Sequence, residues 1–269
     1  MNSDSEDEKN ENRWFHAEVN EVPLLQKCLR PLTDGENPTG NVDYFCVSPD
    51  GMYLASTHAY LEFSVVNFAA YYCPEKRVLR LHLRHLEDRI ATAVDIYAEE
   101  DGISLCFTGE RPNYNALLLS MRDREGNVIY SSEIELVLSY PGSMELRSSD
   151  VNYTVSIDMQ TQTFMQLIEY LSLYGFEVQA TVQSTGIMFR AVNEEIILWE
   201  EKGIYQIEHE EGEIVQYPFL LKFDLYQKSA LLNAAILSER VWLHQLVDLR
   251  TVVVVPVQGH HSIQFCYQP

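Results

Sequence analysis

Thr161-Gln-Thr-Phe-Met-Gln-Leu-Ile-Glu-Tyr-Leu-Ser-Leu-Tyr174 sets Phe164, Leu167, Ile168 and Leu171 three and four residues apart, the spacing of one buried helix face. Three other stretches carry such a stripe. Val22–Leu32 has Leu25, Cys28, Leu29 and Leu32. Arg84–Ala93 has Leu86, Ile90 and Ala93, with Arg89 interrupting. Leu225–Leu237 has Leu231, Ala234 and Ala235, with Leu232 beside them. Pro31 is expected to fray the end of the first helix, because proline cannot donate the helical hydrogen bond. The four starts, near 22, 84, 161 and 225, lie 62, 77 and 64 residues apart. Two similar intervals around a longer one predict four copies of a helix-plus-strands unit, paired into two domains. The excess falls on Ser139–Val151, which has loop composition. The expected division is a domain over 13–138, a connector over 139–151 and a domain over 152–269.

Between the helices the chain reads as short strands: Val42–Val47, Met52–Thr57, Ile103–Phe107, Ala116–Met121 and Thr154–Ile157 are β-branched or aromatic. Turn signals at Ser48–Gly51, Glu100–Gly102, Arg124–Gly126 and Thr185–Gly186 favour hairpins, since glycine accepts positive φ at little cost. The fold class is therefore α+β, duplicated, with two helices packed on antiparallel sheets in each half.

Composition narrows the function. Forty acids against nineteen bases give the 269 residues a net charge of -21. An open-groove nucleic-acid binder working by overall attraction would be basic. A ring with a locally basic hole fits the composition, because the field depends on where charges sit. No apolar run reaches membrane-spanning length, so no membrane partner is expected. Residues 1–12 hold five acids and read as a disordered acidic tail, not a secretory leader, with Ser3 and Ser5 as candidate phosphorylation positions. Five scattered cysteines (Cys28, Cys46, Cys73, Cys106 and Cys266) without a Cys-x-x-Cys spacing read as buried reduced thiols of a cytosolic or nuclear protein.

No phosphate-cradling glycine motif, His-Glu-x-x-His or Gly-x-Ser-x-Gly occurs in the sequence. His260-His261 reads as an exposed turn, and Glu208–Glu213 as a solvated acidic loop. No catalytic residue, metal ligand or cofactor is expected, and nothing recommends an enzyme.

The order of these segments resembles the DNA sliding clamps, the family of proliferating cell nuclear antigen and the nine-one-one checkpoint clamp. Trp14-Phe-His-Ala-Glu-Val followed by Val22-Pro-Leu-Leu-Gln-Lys-Cys-Leu is similar to a clamp's first strand and helix. Tyr44-Phe-Cys-Val-Ser-Pro-Asp-Gly-Met resembles its first hairpin, and Leu81-His-Leu-Arg-His-Leu-Glu-Asp-Arg-Ile its second helix and the strand before it. Val155-Ser-Ile-Asp-Met, Phe164, Leu171-Ser and Gly175 match the surroundings of the third helix. Tyr217-Pro-Phe-Leu-Leu-Lys-Phe-Asp-Leu225 matches the approach to the fourth, and Ser262–Pro269 the last strand.

The resemblance implies a trimeric ring, of one or several kinds of chain, that encircles duplex DNA. A clamp loader opens such a ring, which tethers replication, repair or checkpoint proteins in the nucleus. It implies DNA-facing cations at Lys27, Arg30, Arg84, His85, Arg89 and Lys228. A partner-peptide pocket would take Thr57, His58, Leu61, Leu146, Leu249, Arg250, Cys266 and Tyr267. Subunit contacts would involve Val128, Tyr130 and Ile134 in one domain and Ile196 and Leu198 in the other. The chain departs from the replicative pattern. Gln166 and Glu169 on the third helix, and Tyr226 and Asn233 on the fourth, stand where bases are usual. Ser56-Thr-His-Ala-Tyr-Leu replaces the familiar stretch after the hairpin, and Arg250 replaces a proline. These departures lean toward a specialised or DNA-damage checkpoint clamp. The alternatives are a standard replicative homotrimer, a clamp-fold interaction module without DNA binding, and an unrelated duplicated α+β protein.

Overall fold

The computed structural model describes residues 12–34, 43–97, 102–138, 153–199, 204–208, 217–257 and 261–268. The chain divides into two compact units, Met1–Met144 with Gly259–His261, and Glu145–Gln258 with Ser262–Pro269. The tail up to residue 11 and the expected connector 139–151 lie outside the described residues.

In the first unit one sheet runs in the order β5 (Ala70–Tyr72), β1 (Arg13–Val19), β7 (Ser104–Glu110), β8 (Ala116–Arg122), β9 (Val128–Glu135). The other runs β10 (Val137–Leu138), β6 (Arg77–Leu81), β2 (Asp43–Ser48), β3 (Gly51–Ala55), β4 (Ala59–Ser64). Neighbours pair antiparallel. Aromatic packing fills the core: Phe15 on β1 meets Phe45 on β2 edge-on, with ring centroids 5.5 Å apart. Gly109 makes room for the Trp14 indole, since a Cβ there would lie 2.2 Å from the ring.

The second unit repeats the plan. One sheet runs β14 (Glu194–Trp199), β13 (Gly186–Ala191), β12 (Glu177–Gln183), β16 (Phe219–Asp224). The other runs β19 (His261–Tyr267, with His261 itself counted in the first unit), β18 (Thr251–Val257), β17 (Arg240–Leu246), β11 (Tyr153–Gln160), β15 (Tyr205–Glu208).

Each unit carries two helices whose apolar stripes are buried: α1 (Val22–Thr33) and α2 (Leu83–Tyr97) in the first, α3 (Thr161–Leu171) and α4 (Lys228–Ala235) in the second. Pro31 does not fray α1, which runs two residues past it. Asp34 N donates to Arg30 O at 3.0 Å to close the turn, and the buried proline's carbonyl lies 3.1 Å from His58 Nε2. The helix α2 outlasts its stripe because Tyr97 anchors it, its hydroxyl donating to Ile129 O at 2.6 Å. α4 starts later than the pattern suggests, because Asp224 Oδ1 accepts from Tyr226 N at 3.1 Å and holds the approach as a turn.

Two turn readings are corrected. Gly102 (φ 80°) leads from α2 toward β7 and joins no hairpin. His261 is no exposed turn: it opens β19, is buried, lies 3.0 Å by Nδ1 from Asn67 Nδ2, and packs 4.7 Å from the Phe63 ring. Arg124–Gly126 does close a hairpin, between β8 and β9. There Asp123 Oδ1 accepts from Glu125 N (2.9 Å) and Asn127 N (2.8 Å), and Gly126 takes a φ of 85°.

Candidate functional site

The cations expected to face DNA sit on the outer sides of α1 and α2. Burying Leu25, Cys28, Leu29 and Leu32 turns Lys27 and Arg30 to solvent. Burying Leu83, Leu86, Ile90 and Ala93 does the same for Arg84, His85 and Arg89. Thr33 Oγ1 donates to Glu87 Oε2 at 2.6 Å, which ties the two helices together. Arg30 has a loose, exposed partner in Asp34 at 3.8 Å. His82 and His85 lie ring to ring at 5.2 Å. The two helices carry Lys27, Arg30, Arg84 and Arg89 against Glu87, Asp88 and Asp95. The helices' own charges sum to +1, and Asp34 beside Arg30 offsets that excess, so this face is close to neutral in a strongly acidic chain.

The second unit's helices are poorer in charge. Lys228 is half-buried, and its Nζ donates to Ser172 Oγ at 3.1 Å, just beyond the C-terminal end of α3, where the helix dipole favours a cation. Glu169 and Gln166 are exposed. They line a cleft of about 720 Å³ that Arg240 also reaches. Sequence reasoning missed Arg240 because it opens a strand and belongs to no helical pattern. Its Nε lies 2.5 Å from Asp158 Oδ1, and a terminal nitrogen donates to Asp158 O at 3.3 Å.

The residues expected in a peptide pocket have different surroundings. Leu61 is wholly buried in the first unit, which corrects its assignment as a peptide contact: on β4 it alternates inward with Ala59 and Phe63. Thr57 is exposed and His58 half-buried in the β3–β4 turn, where Ser56 Oγ accepts from Ala59 N at 3.2 Å. Burial lowers the pKa of His58, partly offset by its bond to the Pro31 carbonyl. In the second unit Leu249 is exposed with a φ of 68°, and Arg250 pairs with Asp248 in the same turn. Cys266 and Tyr267 line a cleft of about 750 Å³ together with Phe223, Lys222, Arg190 and Tyr226. Tyr267 packs 5.9 Å from Phe223, and burial holds its phenol well above the ordinary tyrosine range. Cys266 is half-buried, which departs from the expectation that all five thiols are buried; Cys28, Cys46, Cys73 and Cys106 are. Leu146 lies outside the described residues.

The strands expected at subunit contacts both end their sheets. Among the described residues β9 has only β8 beside it and β14 only β13. Tyr130 and Ile134 on β9 pair with the buried Met121 and Leu117, and Ile196 and Leu198 on β14 pair with the buried Phe189 and Ile187. Ile134 is therefore buried from within its own unit, and only its strand edge is open. Val128 is exposed. A neighbouring apolar surface escaped the sequence reading: Tyr170, Leu173 and Tyr174 are exposed at the end of α3, outside its buried stripe. Tyr170 donates to Glu194 Oε1 of β14 at 2.6 Å, and Tyr174 to the Tyr170 hydroxyl at 3.2 Å.

Among the described residues no cluster of three or more His, Cys, Asp or Glu side chains is placed to hold a metal, and no helix is long and apolar enough to cross a membrane. No family model matches the sequence, and no curated protein matches it. A match comes from a solved structure, the crystal structure of proliferating cellular nuclear antigen from Entamoeba histolytica. It aligns with 96% of this chain and 99% of its own, at a TM-score of 0.68 and 15% identity. Two units of like plan, each with two helices on antiparallel sheets, together with that alignment over nearly the whole chain, give this protein the duplicated sliding-clamp fold.

Proposed function

We propose that the chain is a ring-forming subunit of a DNA sliding clamp that encircles duplex DNA in the nucleus and tethers replication, repair or checkpoint proteins. The observation that carries this reading is the pair of open sheet edges, β9 in the first unit and β14 in the second. An open edge is an aggregation hazard unless another strand covers it, and head-to-tail addition of clamp-fold chains covers both kinds of edge in a closed ring. The modest charge of α1 and α2 suits such a ring. Retention is topological, so the lining needs only to tolerate phosphates and let them slide. The chain acts as a holder and tether without chemistry of its own. The poor charge of α3 and α4 and the altered β3–β4 turn favour a specialised clamp over a standard replicative one.

The test is retention on DNA. The chain, alone and in the assembly it copurifies with, is loaded by a clamp loader with ATP onto a nicked circular plasmid and washed in high salt. A clamp stays on the circle and leaves when the plasmid is cut. Exposed Glu169 and the engaged Lys228 favour a second reading, a clamp-fold interaction module that does not hold DNA; that protein is washed off circle and linear DNA alike.

A further inference from the structure

We propose that the two open edges are built for a different clamp-fold chain, one whose edge strands present Lys or Arg, and that like charge opposes closure of a ring from copies of this chain alone. The inference rests on the ring-subunit reading above.

The two strands have fixed faces. On β9, Tyr130, Ser132 and Ile134 pair with the buried Met121, Leu119 and Leu117, so Ser131, Glu133 and Glu135 point to the other, solvent face. On β14, Glu194, Ile196 and Leu198 pair with Ala191, Phe189 and Ile187 of the core, so Glu195, Ile197 and Trp199 point outward. Both edges thus concentrate carboxylates at one end: Glu133 and Glu135 at the C-terminal end of β9, Glu194 and Glu195 at the N-terminal end of β14.

Antiparallel addition, the mode by which both strands meet their neighbours, brings those two ends together. Matching inner face to inner face allows few registers. The one that uses all of β14 sets Glu133 directly opposite Glu195 and Ile134 opposite Glu194. Sliding by two residues one way sets Glu135 opposite Glu195. Sliding the other way puts Ser131 there and leaves Glu133 diagonal to Glu195. Side chains directly opposite on a sheet interact most strongly, and diagonal ones less. Each register therefore crowds carboxylates. One guanidinium offsets them, Arg190, whose Nε lies 3.6 Å from Glu195 in an exposed pair. A partner strand with Lys or Arg opposite Glu133 and opposite Glu195 turns the same geometry into attraction at both edges.

The experiment measures solution mass by light scattering for the 31.1 kDa chain and for Glu133→Lys/Glu135→Lys, with circular dichroism to confirm the fold. At about 0.05 M salt the natural chain is expected to stay monomeric, and raising salt to about 0.5 M screens the repulsion and promotes self-association. The double variant gives the solvent face of β9 the sign that complements Glu195. It is expected to self-associate at low salt, at a midpoint concentration at least about tenfold lower than the natural chain, and to lose that gain in high salt. Adding Glu195→Lys to the double variant restores the monomer. A natural chain that closes into a stable oligomer at low salt overturns the inference and leaves the clamp reading standing. A folded double variant that stays monomeric overturns it too. Retention on circular DNA, measured separately, decides the clamp reading.

Discussion

Arg240 Nε and Asp158 Oδ1 meet at 2.5 Å between adjacent strands β17 and β11, with the carboxylate largely buried and the guanidinium partly exposed. The pair fixes the start of β17 beside the N-terminal end of α3, since Thr161 N donates to Glu239 O at 3.0 Å in the same corner. Removing the carboxylate takes the charged partner from the guanidinium, which keeps its bond to the Asp158 carbonyl. Asp158→Ala is expected to lower stability by about 1–3 kcal/mol. Urea unfolding followed by circular dichroism measures this, and a loss within experimental error would show that water replaces the carboxylate.

The cations of the two units are expected to differ in their effect on DNA. Lys27→Glu, Arg84→Glu and Arg89→Glu together should lower loading onto nicked circular DNA, and each lost phosphate contact should flatten the salt dependence of loading by about one unit of slope. Lys228→Glu should change loading less, because Lys228 is already bonded to Ser172. Equal effects from both changes would show that Lys228 swings free on DNA.

Two histidines should make the fold acid-sensitive. Burial lowers the pKa of His16 from 6.5 to about 4, helped by Arg13, and lowers that of His244 to about 4. A depressed histidine is neutral in the folded chain while the unfolded chain takes up its proton below pH 6.5. Stability is therefore fully present above that pH and falls as pH drops from 6.5 toward 4. His16→Gln, which can keep a hydrogen bond to Thr108, and His244→Gln should each flatten the fall, by about 1 kcal/mol or more between pH 7 and pH 5. Chemical denaturation at the two pH values checks it.

Thiol reactivity should single out Cys266. Burial pushes Cys28 and Cys46 up to about 12 and raises Cys73 and Cys106, so these four are poor nucleophiles at neutral pH. A disulfide reagent is expected to label Cys266 first in the folded chain, and all five thiols after unfolding. A peptide seated in the cleft that Cys266 lines should slow that labelling. Unchanged labelling beside saturating peptide would place the peptide elsewhere.

Much of this architecture was legible in the sequence because it rests on strong periodic signals. The stripes of α1 and α3 place both helices, and their spacing along the chain exposes the duplication. The weak signals were local. β5, β10 and β15 are too short to show a period. Leu61 and His261 turned out buried because strand alternation, invisible from a motif match, points them inward. Arg240 lacked any pattern, since its partner Asp158 stands 82 positions away in sequence. The charge conflict between β9 and β14 needed registers that only the folded pairings supply.

The clasp that Asp123 forms on Glu125 and Asn127 bears on that conflict from a distance. Side chains alternate along a strand, so β9 has only two phases, and this turn together with the one-residue register shift that follows it, between Met121 and Arg122, selects between them. A hairpin one residue longer, with that register shift kept, would send Glu133 and Glu135 into the apolar interior and bring Ser132 and Ile134 out. The turn and the register shift beside it thus work together as a phase setter: one exposed loop and one extra residue decide which electrical sign β9 displays to its surroundings.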